Sequence, residues 1–173
     1  MSVDAVDVTA MPGTWPPARR QPFRFAGLLL LLALRLLYGL FFFQAGVNKM
    51  LKGWDYPEYL REVFQIRLTE LNPSAFAYAY LEHFGIPFVL PIAFVVAFGE
   101  LLAGFGLLTG LATRASAWLA FFILVNIAIG GYYDASLLPF FIINGILCFH
   151  PLGRHFGLDR ALGRKYPGSW WFR

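Results

Sequence analysis

The chain is short of sulfur, imidazole and charge, and each shortage removes a class of chemistry. Cys148 is the sole cysteine, so neither an intramolecular disulfide nor a C-x-x-C redox pair can form. His83, His150 and His155 lack the i, i+4 pairing of a helical metal site, and no metal is expected. Charged residues make up 14% of the 173 positions, against roughly 25% in soluble domains. The basic residues flank apolar runs instead of gathering on a polar domain, which argues against nucleic acid as a partner and for membrane topology as their role.

What the chain has instead is apolar surface, at 58% hydrophobic residues. An all-α integral membrane protein is the class this composition implies. The central run is PFVLPIAFVVAFGELLAGFGLLTGLATR, residues 87 to 114, where Glu100 is the one ionisable side chain before Arg114. At ~1.5 Å per residue such a run crosses a bilayer as one helix, and a carboxylate in it needs a partner. Gly99, Ala103, Gly106 and Gly110 form a stripe of small residues that lets another helix approach closely.

Residues 1 to 24, rich in proline and arginine, read as a flexible tail leading into an uncleaved anchor. A first span is expected from about residue 25 to 47, with Arg35, Gly39, Phe42, Gly46 and Lys49 along its inward face. Residues 49 to 85 are too polar for lipid, yet Tyr56, Tyr59, Leu60, Val63 and Phe64 recur at helical spacing, so a short amphipathic helix is expected between the first two spans. Asn72-Pro73-Ser74 marks a break, and AFAYAYLEHF is read as helix. Residues 115 to 152 exceed one span and fold back at Gly130-Gly131, giving spans of about 115 to 129 and 136 to 152. A four-transmembrane-helix bundle over 25–152 follows, with a basic aromatic tail over 153–173. Nine Lys and Arg on the tail side against four in the 49 to 85 segment put both termini in the cytoplasm of a plasma-membrane protein.

Counted from the estimated span ends, Arg35 and Glu100 lie at similar depth, roughly 15 and 13 Å in. Asn126 and Asn144 fall within about one turn of that level. Arg35 and Glu100 are therefore the expected ion pair and the catalytic candidates. Asn126, Asn144 and Tyr38 complete a candidate cofactor site, with Phe42, Phe98 and Phe105 as aromatic neighbours. A purely structural cluster that fixes helix register is the competing reading. Gln44, Asn48 and Lys49 read as interfacial snorkelling and capping residues.

ALRLLYGLFFFQAGVNKML, the FGIP before the second apolar helix, GELLAGFGLLTGLATR and the terminal GRHFGLDR together resemble the DoxX family of small bacterial and archaeal membrane proteins, over about residues 30 to 160. The resemblance implies a four-helix membrane bundle and, for some members, a subunit of a thiosulfate:quinone oxidoreductase or another redox complex. Quinone is the implied cofactor, and a protein partner or second copy is implied beside the lipid bilayer. The lone Cys148 does not fit thiol chemistry within one chain. A non-catalytic membrane anchor or assembly subunit is the alternative function.

Overall fold

The computed structural model describes residues 22–150, 152–155 and 157–166. Residues 1–21 of the expected tail over 1–24 and the final residues 167–173 lie outside them, while residues 22–24 are already helical. Every element among the described residues is helical. The order is α1 (Pro22–Lys52), α2 (Asp55–Glu70), α3 (Phe76–Tyr80) running into a π-helical turn (Leu81–Gly85), α4 (Val89–Thr109), α5 (Thr113–Ile129), α6 (Leu137–Phe149), α7 (Leu152–His155) and α8 (Leu158–Lys165). Two helices, Phe25–Lys52 and Val89–Thr109, are long and apolar enough to cross a membrane, and α5 and α6 are shorter apolar helices. Leu37, Leu40, Phe41, Leu102, Phe105, Phe122 and Ile142 point outward. A water-soluble protein does not present so large an apolar surface, whereas a bilayer solvates it.

α1 continues past the expected end near residue 47, because nothing breaks it before Gly53, whose φ of 56° suits glycine. Its partner is α4, and small residues set their antiparallel register. Gly39 lies against Leu107 and Leu108, Gly104 against Phe43, and Gly46 against Leu101 and Ala97. A Cβ on Gly104 would overlap the Phe43 backbone, and one on Gly46 would sit 2.6 Å from the Leu101 nitrogen. Neither obstacle is a flexible side-chain end. Gly104→Val should therefore separate the two helices and lower stability by about 3 kcal/mol or more, at the upper end of overpacking costs. Thermal unfolding in detergent measures it, and an unchanged midpoint would refute the close approach. The expected stripe on α4 faces α5 instead: Gly99 meets Ile123 and Leu119, and Gly106 meets Ser116.

α5 packs between α4 and α6, and α6 touches α1, which closes the bundle. Tyr38, Phe42, Leu107, Ala117, Ile123, Leu147 and Cys148 belong to one buried core. The Asn72 carboxamide accepts hydrogen bonds from the Ser74 backbone (2.9 Å) and hydroxyl (2.8 Å), making the break seen in the sequence. The expected fold-back at Gly130-Gly131 is present, with Gly131 at a φ of 87°.

The α4–α5 turn is held by the end of the chain. Gly110 closes α4 at a φ of 68°, and Ala112 adopts a φ of 47°, unusual for a residue with a Cβ. Asp159 on α8 accepts from the Ala112 nitrogen at 2.6 Å and the Thr113 nitrogen at 2.9 Å, while its own nitrogen donates to the Gly110 carbonyl at 2.8 Å. A carboxylate from a distant helix thus supplies the cap that α5 lacks locally, where exposed helical N–H groups favour negative charge.

Candidate functional site

A cavity of about 560 Å³ lies between α2, the α3–π segment, α4 and α5, and reaches the last turn of α1. Leu60, Val63 and Phe64 on the inner face of α2 cover one end, and Leu81, Ile92, Val96 and Ile123 line the walls. The amphipathic pattern of the 49 to 85 segment therefore puts its apolar side over a hole in the bundle. Among the described residues the one ion pair on the cavity wall is Lys49–Glu100, with Lys49 Nζ donating to Glu100 Oε2 at 2.6 Å. The Glu100 side chain is 7% exposed and the Lys49 side chain 24%. The pair is consequently shielded from bulk water on the carboxylate side and partly open on the lysine side.

Three phenols lie on the cavity wall. Tyr56 lies on the cavity wall beside the pair, with Lys49 Nζ 5.9 Å from its ring centroid. Burial, followed by the nearby Glu100 charge, pushes the Tyr56 hydroxyl well above the usual phenol range, which keeps it a hydrogen-bond donor. Tyr80 donates to Asn126 Oδ1 at 2.7 Å, and the Asn126 amide donates to the Phe122 carbonyl at 2.8 Å. Tyr132 donates to the Val63 carbonyl at 3.0 Å, tying the α5–α6 turn to α2, and burial raises its pKa as well. Arg67 braces the same corner, bonding the Gly131 carbonyl and lying over the Tyr132 ring at 5.1 Å.

Of the residues expected from sequence to form the site, Glu100 and Asn126 line this cavity and Arg35, Asn144 and Tyr38 do not. The expected Arg35–Glu100 pair is replaced by Lys49–Glu100. The reason is register. With Gly39 opposite Leu107 and Gly46 opposite Leu101, Arg35 falls level with the turn beyond Thr109, about 18 Å along the bundle from Glu100. There it is buried within the field of Asp159. Asn144 and Tyr38 lie in the α1–α5–α6 core, where the Asn144 carboxamide and the Tyr38 hydroxyl have no hydrogen-bond partner among the described residues. Phe98 and Phe105 point outward. Lys49, Tyr56, Tyr80, Tyr132 and Asp159 carry what sequence reasoning missed. Lys49 already stood on the inward face of α1 one turn after Gly46, and that position was its signal.

Among the described residues no three His, Cys, Asp or Glu side chains come close enough to hold a metal ion. Cys148 is buried in the core, away from the cavity lining. Cys148→Ala should leave the cavity's ligand binding intact and cost about 1–2 kcal/mol for the atoms removed. Loss of binding in the folded variant would assign the thiol a role.

A family model described as DoxX matches residues 30–132. No curated protein matches the chain, and no solved structure does. The match covers more than half of the sequence, including most of α1, all of α2 through α5 and every residue of the cavity wall, and the chain belongs to the DoxX family.

Proposed function

We propose that this DoxX-family chain is the membrane subunit of a quinone-linked redox complex, and that the cavity at Lys49–Glu100 receives the quinone ring. The observation that carries the reading is the cavity's composition: about 560 Å³ of apolar and aromatic wall with one ion pair set into it. That volume lies in the range of small-molecule sites, which combine an apolar lining with a few placed polar groups. In this reading α1, α4, α5 and α6 are four spans, with both termini cytoplasmic and α2 on the opposite face of the plasma membrane.

Lys49 keeps donors beyond the one used on Glu100, so its ammonium can also hold a ligand carbonyl oxygen. Glu100 Oε1 remains an acceptor for a ligand hydroxyl, and Tyr56 is a further donor beside both. Carbonyl and hydroxyl are the two oxidation states of one quinone oxygen, and the pair presents a donor to the first and an acceptor to the second. A quinone bound there supplies two-electron, two-proton chemistry, its electrons coming from a partner subunit. The chain's own part is to exclude water with α2, orient the ring, and hold the proton at Glu100 or Lys49.

Purified protein, alone and with whatever co-purifies, should show saturable binding of a short-chain benzoquinone. Lys49→Met and Glu100→Gln should each weaken it roughly 10- to 100-fold, the value of one charge-assisted hydrogen bond. A folded Asn144→Leu protein should bind normally. Absent binding in both preparations, or binding indifferent to Lys49 and Glu100, would remove the quinone site. A membrane anchor for another subunit is then the reading that remains, and the exposed corner Met50, Leu51 and Trp54 beside α2 favours it.

A further inference from the structure

The cavity has a window in its wall. α4 and α5 meet tightly where Gly99 lies against Ile123 and Leu119, and from there toward Phe88 residues of both helices border the cavity. The next tie between the two sides is the Tyr80–Asn126 hydrogen bond, which joins the α3–π segment to α5. Between that sill and that lintel, Phe88, Pro91 and Val95 on one side and Phe122 on the other both line the cavity and lie exposed on the outside of the bundle. Side chains that belong to an inner and an outer surface at once mark the rim of an opening. From Phe88 to Val95 the rim runs about 10 Å along the helix.

The surroundings of the window decide what passes through it. Outside it, Leu90, Phe98, Leu102 and Trp118 continue the apolar surface of α4 and α5, so the opening faces hydrocarbon. Asn126 is the polar side chain at its edge, and Tyr80 and the Phe122 carbonyl already engage its carboxamide. Both polar atoms of that carboxamide already have a protein partner, and Phe88, Pro91, Val95 and Phe122 are apolar, so an aqueous route to Glu100 through the rim is disfavoured. The polar groups able to hold a ligand head lie deeper, at Lys49 and Glu100.

We infer that the ligand of this cavity is a lipid held in two parts, with an oxygen-bearing head at Lys49 and Glu100 and a long apolar tail leaving through the Phe88–Val95/Phe122 window into the bilayer. The identity of the head rests on the quinone reading; the window rests on its own geometry. Tyr80 and Asn126 act as positioning residues that keep the upper edge closed.

The test uses the full chain in lipid nanodiscs and a benzoquinone whose alkyl tail ends in a photoactivatable diazirine. After irradiation and peptide mass spectrometry, adducts should concentrate on residues 88–95 and on Phe122. They should exceed those on the exposed Leu36–Phe41 face of α1 by about tenfold, and an excess of tail-less benzoquinone should displace them. In a Val95→Trp variant the window adducts should fall, and unchanged adducts there would count against the opening. Adducts spread like those of a diazirine-bearing fatty acid in bulk lipid would overturn the window. Window adducts that tail-less quinone fails to displace would uphold the window and overturn the quinone reading.

Discussion

Lys49→Met and Glu100→Gln are each expected to destabilise the protein by about 2–3 kcal/mol, and the double variant by clearly less than their sum. Removing one partner of a buried ion pair strands the other, at about 3–5 kcal/mol when both are fully enclosed. Here the Lys49 side chain is 24% exposed, and in Glu100→Gln it can swing toward the membrane interface, which lowers the cost. Glu100, 7% exposed, has no such escape in Lys49→Met, so that variant should be the worse of the two. In Lys49→Met/Glu100→Gln no stranded charge remains, and a coupling of about 1–2 kcal/mol should appear. The exchange Lys49→Glu/Glu100→Lys should recover part of the loss. Arg35→Met combined with Glu100→Gln should instead be additive within about 0.5 kcal/mol, because the two sites share no contact. Unfolding in nanodiscs reads all of these, and strong coupling of Glu100 to Arg35 but not to Lys49 would reverse the assignment.

That contrast shows where the sequence was legible. Periodicity and breakers located the helices: the inward face Arg35, Gly39, Phe42, Gly46, Lys49 is the face packed on α4, Asn72-Pro73-Ser74 is a break, and Gly130-Gly131 is a turn. Those signals are local, and local geometry obeys them. The partner of Glu100 was not local. It depended on the offset between α1 and α4, and α1 at 31 residues is longer than a bilayer requires. Counting depth from an assumed end of α1 therefore misplaced Arg35 by several turns. The offset is set by backbone contacts at Gly39, Gly46 and Gly104, and Gly104 lies off the stripe that the sequence singled out. The cavity was hidden for a related reason. It exists because α2 and the π-helical turn stand away from α4 and α5, and Tyr56, Tyr80 and Tyr132 converge on it from three separate segments. Nothing in the spacing of those tyrosines says that they meet.

Arg35, displaced from the ion pair, has a different task, and it motivates the second large effect. Asp159→Ala should cost about 3–5 kcal/mol although Asp159 lies near the end of the described chain. The substitution removes acceptors from the Ala112 and Thr113 nitrogens. It leaves those helix-terminal N–H groups in a buried turn without an anion, and takes away the negative charge that acts on buried Arg35. Asp159→Asn keeps one acceptor oxygen but turns an NH₂ toward a second donor, so it should fall between wild type and Asp159→Ala. Because Arg35 and Asp159 act on each other, Arg35→Met should cost less in the Asp159→Ala background than in wild type, by about 1–2 kcal/mol. Hydrogen exchange gives the local readout. The amides of Ala112, Thr113 and the first turn of α5 should exchange faster in Asp159→Ala, while α2 and the Lys49 end of α1 keep their protection. Additive losses at Arg35 and Asp159, with unchanged exchange at the start of α5, would show that α8 merely rests on the bundle and does not fasten the α4–α5 turn.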